Sequence, residues 1–138
     1  MHRLLLLFVL LSFASLSMAI EPQSVADMEK IILGSWSEKL DMEGLITSGV
    51  SKYSSDHTVE HIGSIVAFDF KIDFRIRSKW RIEGDTLITE VLETNQPDMI
   101  GVGHVERDKI LSMTNNNWTY RDSYGTESTA VRLRELSP

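Results

Sequence analysis

The sequence predicts an all-β fold: an antiparallel up-and-down barrel of about eight strands preceded by one short N-terminal helix. The first observation is the run from Val66 to Ile82. Its even-numbered residues are apolar (Val66, Phe68, Phe70, Ile72, Phe74, Ile76, Trp80, Ile82), broken only by Ser78, and its odd ones from Asp69 to Arg81 are charged. A period of two means a sheet with one dry face and one wet face. The second is a series of short β-rich runs divided by Gly, Asn and Asp turn pairs, the rhythm of a closed barrel or a sandwich. The third is a single capped amphipathic segment ahead of the first strand.

The chain opens with Met1-His2-Arg3, an unbroken apolar stretch from Leu4 to Leu11, and small residues at Ser17 and Ala19. These are the parts of a cleavable export signal, expected to span residues 1–19, too short in its apolar core for the ~20 residues of a spanning helix. The mature chain, 20–138, is expected to be a single domain of about 120 residues, periplasmic or secreted, with no stable membrane insertion. Cysteine is absent, so neither a disulfide nor a lipid-modified cysteine is available. Loss of Arg3 takes the formal net charge from −6 to about −7, a balance that argues against a nucleic-acid partner.

Ser24 is a helix cap, and Val25, Met28, Ile31 and Ile32 form one apolar face of a helix ending by Gly34. Strands follow at 35–41 and 47–54, and after the Ser54-Ser55-Asp56 turn extended structure resumes at 57. One strand from 57 to 82 would run roughly 85 Å at ~3.3 Å per residue, so a break is placed between Ala67 and Lys71. A three-residue loop or a bulge there would preserve the parity of the row, whereas a two-residue loop would flip it. The hairpin around Gly84-Asp85 sets Trp80 opposite Thr89, Ile82 opposite Leu87 and Lys79 opposite Glu90, so the basic stripe Arg75, Arg77, Lys79, Arg81 reads as a solvated face paired with acids. Short strands at 100–106, 109–114, 117–122 and 127–135 complete the set, with turns at Arg107-Asp108, Asn115-Asn116 and Tyr124-Gly125. Outward Ile88 and Leu92 would seed an apolar contact patch.

The combination resembles the small exported lipocalin-like, or calycin, barrels. The residues that carry it are a helix leading into Gly34-Ser35-Trp36, a Tyr and turn after strand two (Tyr53-Ser54-Ser55-Asp56), the hairpin Lys79-Trp80-Arg81-Ile82-Glu83-Gly84-Asp85-Thr86-Leu87, and an Arg near the end of the last strand. The resemblance implies a structural barrel floor in which Trp36 is met by Arg132 or Arg134, and parity does not choose between the two. The family's Asp-Gly in the first turn is Asp56-His57 here.

An eight-stranded barrel is either packed by its own side chains or holds one small ligand. The inward set for such a ligand is Phe68, Phe70, Phe74, Ile76 and Trp80. His57 and His61 would lie ~13 Å apart on a strand, too far to share a metal ion, and no phosphate loop, nucleophile elbow or cofactor motif appears. An enzyme would need polar groups converging in the barrel mouth, for which His104, Glu106 and Tyr120 are the nominees. The expected function is therefore an exported noncatalytic binding module for a small apolar ligand. The alternative is a protein-interaction module, such as an inhibitor of an exported hydrolase, using loops Asn95 to Ile100 or Asn115 to Asn117.

Overall fold

Why the helix sits where it does follows from its two ends. In the computed structural model, which describes residues 23–134, α1 (Val25–Ile32) begins with the Asp27 amide donating to Ser24 Oγ at 3.1 Å. Its last carbonyls find no cap in their own segment. Trp36 Nε1 donates to Ile32 O at 2.7 Å, and the Arg132 guanidinium donates to Leu33 O at 2.8 Å and to Ile31 O. The barrel thus caps the helix with a cation at the negative end of its dipole. This geometry also explains Gly34, whose φ is +111° and where a Cβ would lie 2.8 Å from Arg132 Nη1. Any side chain in that position would displace the arginine.

Eight strands follow: β1 (Gly34–Met42), β2 (Leu45–Tyr53), β3 (Thr58–Ala67), β4 (Phe70–Glu83), β5 (Thr86–Thr94), β6 (Val105–Met113), β7 (Asn117–Arg121) and β8 (Glu127–Arg132). Each pairs antiparallel with the next, and β8 returns to β1 (Trp36 opposite Arg132, Glu38 opposite Ala130), closing the barrel. Closure gives every strand a neighbour on each side, so no whole strand is left as a sheet edge. The helix, Trp36, Tyr53, Val59, Ile82, Leu87, Met113, Trp118 and Ala130 form a dry core at one end, where Trp36, Tyr53 and Trp118 meet edge to face.

The Gly84-Asp85 hairpin has the expected register, with Trp80 opposite Thr89, Ile82 opposite Leu87 and Lys79 opposite Glu90. The basic stripe is paired with acids: Arg75–Glu60 at 3.0 Å, Arg77–Glu93 at 3.4 Å, Lys79–Glu90 at 3.1 Å and Arg81–Glu83 at 2.7 Å. Four expectations are corrected. The break after β3 is a two-residue turn, Phe68-Asp69, with Ala67 opposite Phe70. It flips the parity, so Val66 faces outward and Phe68 stands at the tip, 93 % exposed. The expected turn at Arg107-Asp108 lies inside the continuous strand β6, and residues 95–104 form the connection instead. The strand expected at 100–106 therefore begins only at Val105. Ile88 is no patch residue, being only 4 % exposed between its register neighbours Arg81 and Arg107, whose aliphatic stems can cover it.

Phe68 carries a left-handed backbone, φ +52°, a conformation that disfavours any side chain and a bulky one most. Phe68→Gly is expected to raise stability by about 0.5–1 kcal/mol, read as a later urea midpoint. An unchanged or earlier midpoint would show that the exposed ring contributes more than its backbone strain.

Candidate functional site

Opposite the helix the barrel is open, and a cavity of about 390 Å³ runs inward from that mouth. Its apolar wall is built by Leu40, Phe74, Ile76, Ile100 and Trp118. Room for the Phe74 ring comes from Gly49 and Gly63, which face each other across β2 and β3. A Cβ on Gly63 would approach Phe74 Cζ to 2.7 Å and Ser48 O to 2.2 Å, so both the strand approach and the ring depend on that position being glycine.

The polar wall comes from strands far apart in sequence. Glu38 on β1, Glu106 and Asp108 on β6, Tyr120 on β7 and Asp122 just after β7 all line the cavity. Tyr120 Oη donates to Glu38 Oε2 at 2.8 Å. Burial pushes the Glu38 carboxyl up, against the lowering effect of that hydrogen bond. Burial first, then the charges of Glu106, Glu38 and Asp122, raise Asp108 to about 7. Tyr53 and Tyr120 are both pushed above the usual phenol range, mainly by burial and then by Glu38. Deeper in the wall His61 Nδ1 lies 2.6 Å from Ser51 Oγ, and burial lowers this histidine to about 4, so it is neutral at physiological pH. No carboxylate holds its other ring nitrogen among the described residues, so the pair lacks the third group that orients a nucleophile's base.

Of the expected ligand-lining residues, Phe74 and Ile76 line the cavity. Phe70 has the inward parity of β4 but lies at the rim, half-exposed, and Phe68 is outside. Trp80 is buried at the closed end, where its indole N–H is shared between Ser54 O and Thr58 O and its ring packs against His57 at 4.6 Å. His57 takes the glycine place of the first turn with φ +64°. At the floor, the Arg132 guanidinium carbon stands 4.2 Å over the Trp36 ring. Arg134 follows the end of β8 and is exposed. His104 Nε2 meets Glu106 Oε1 at 2.7 Å, while Tyr120 is committed to Glu38 rather than to that pair. Among the described residues, no three His, Asp or Glu side chains are placed to hold a metal ion, and no helix is long and apolar enough to cross a membrane. The expected export signal, 1–19, lies outside the described residues.

Fold and site together define a closed eight-stranded antiparallel barrel with a dry, helix-capped floor and a half-polar cavity open at the other end. No protein-family model matches the chain, and no curated protein matches it. Among solved structures it is similar to one described as EF1p2_mFAP2b bound to DFHBI, with 11 % identity and a TM-score of 0.50 over 80 % of this chain and 100 % of that one. A likeness at that identity is a likeness of barrel folds.

Proposed function

We propose that the protein is an exported, lipocalin-like, noncatalytic binding module that takes one small, largely apolar molecule into the open end of its barrel. The observation that carries this reading is the 390 Å³ cavity, walled by Leu40, Phe74 and Ile76 on one side and by a few convergent polar groups on the other, the usual anatomy of a small-molecule site. The similar barrel described as bound to DFHBI supports it. Export rests on the leader, and the lipocalin-like assignment on Gly34, Trp36 and the arginine that reaches across the floor.

The test is native mass spectrometry of the mature protein taken from its export compartment, before and after organic extraction, beside a Thr47→Trp variant that fills the cavity from its wall. A small bound mass, removed by extraction and missing from the variant, is the expected result. A clean apo mass together with no uptake of the neutral dye Nile red would sink the reading.

One observation favours the protein-interaction alternative. Around the mouth, Met42, Leu45, Phe68, Phe70, Met99 and Val102 are all exposed apolar side chains, a density of apolar surface that monomers seldom leave uncovered. Met99 belongs to the 95–100 loop named for that role.

A further inference from the structure

Resting on the binding reading above, we propose that the cavity selects an organic cation: a protonated amine on an apolar or aromatic body, its ammonium held between Glu38, Asp108 and the Tyr53 hydroxyl. The lining carries four carboxylates, Glu38, Glu106, Asp108 and Asp122. Glu106 is answered by His104. Among the described residues Asp108 has no side-chain hydrogen bond or ion pair, and Glu38 has a partner for one oxygen only. Against these acids the lining offers Lys39 as its one permanent cation, and His61 is held neutral.

An independent observation comes from Tyr53. This side chain is 4 % exposed and lines the cavity, yet among the described residues its hydroxyl has no hydrogen-bond partner. It lines the same cavity as Glu38, Asp108 and Tyr120, and burial first, then the charges of these groups, pushes its phenol up. A buried hydroxyl left open beside two under-partnered carboxylates is a set of acceptors waiting for a multiple donor. An ammonium group has three donors and the matching charge.

The alternatives are disfavoured by the same groups. A neutral apolar ligand would strip water from the carboxylates and give nothing back. A fatty-acid-like anion would bring its own carboxylate against Asp108, already raised by burial first and then by the charges of Glu106, Glu38 and Asp122. The body of an amine ligand, by contrast, has Phe74, Ile76 and Leu40 to lie against.

Calorimetric titration at pH 8 and low salt with 2-phenylethylamine, 2-phenylethanol and 3-phenylpropionate tests this. The amine is expected to bind at least about tenfold more tightly than the alcohol, the worth of one charge-assisted hydrogen bond, and the propionate least. Glu38→Gln and Asp108→Asn should each weaken the amine about tenfold, more than they weaken the alcohol. If the alcohol binds as tightly as the amine, or the propionate more tightly, the cation inference is overturned while the cavity stands. If none of the three binds and Nile red is also refused, the binding reading itself falls and takes this inference with it.

Discussion

Replacing Arg132 with alanine is expected to destabilise the protein by about 3 kcal/mol, because one side chain closes three structures at once. Its guanidinium donates to Ile31 O and Leu33 O at the end of α1 and to Asn115 O in the β6–β7 turn. It also stacks over Trp36. Hydrogen bonds from a charged donor contribute about 1.5–3 kcal/mol each where partly buried, and the cation over the indole adds about 0.5–2 kcal/mol. Solvent can answer some of the freed carbonyls, so the sum is an upper bound. Arg132→Lys should recover only a fraction, since an ammonium cannot reach carbonyls on two sides while lying flat on a ring. Trp36→Ala, at a residue with 0 % exposure, should cost about 3–5 kcal/mol. Because the two touch, the double variant should fall short of the sum by about 1 kcal/mol. Urea unfolding of the parent and these four variants measures all of this, and strict additivity of the two alanine substitutions would show that the stacking contributes nothing.

That floor was legible only through the resemblance to lipocalin-like barrels, carried by Gly34, Trp36 and a late arginine; the choice of Arg132 over Arg134 came from barrel closure, which sets Arg132 opposite Trp36. The hairpin at Gly84-Asp85 was legible directly, since both flanks alternate cleanly. The strand β6 was not. Its inward residues at the cavity are Glu106 and Asp108, so the alternation that marks a strand by its apolar face was inverted, and Arg107-Asp108 read as a turn. The same polarity hid the site. Glu38 looks like an ordinary surface acid, and its partner Tyr120 is 82 residues away; only barrel closure brings them together. One signal was available in β1. Glu38 interrupts the row Trp36, Leu40, Met42 at an inward position, and a charge standing in an apolar row is either paired or functional. The exposed Phe68 shows the converse, where a row of matching parity continued across a turn that reverses it.

Asp108→Asn is expected to make the protein more stable at pH 8 and to leave it nearly unchanged at pH 4. In the folded state Asp108 is raised to about 7 by burial and then by Glu106, Glu38 and Asp122, against an ordinary value of 3.8. The unfolded chain therefore releases this proton first as pH rises, and stability present below pH 4 is lost progressively up to about 7. Glu38, also raised by burial, acts in the same direction. His61 opposes them: lowered to about 4 from 6.5, it contributes stability that is present above 6.5 and lost as pH falls towards 4. Between those limits the contributions partly cancel, and above 6.5 only the loss caused by the acids continues. The side chain is partly open to water, and allowing for solvent screening the gain from removing the charge is about 1–2 kcal/mol at pH 8. Urea midpoints at pH 4, 6 and 8 for both proteins check the sign; a variant no more stable than the parent at pH 8 would mean that Asp108 is adequately solvated there. The same substitution is expected to weaken 2-phenylethylamine. A carboxylate that lowers stability at the pH where it is charged, and strengthens a cationic ligand at that same pH, trades stability for function at the site. A stability gain without loss of amine binding would separate the two, leaving Asp108 a strained wall residue and the ammonium to Glu38 and Tyr53 alone.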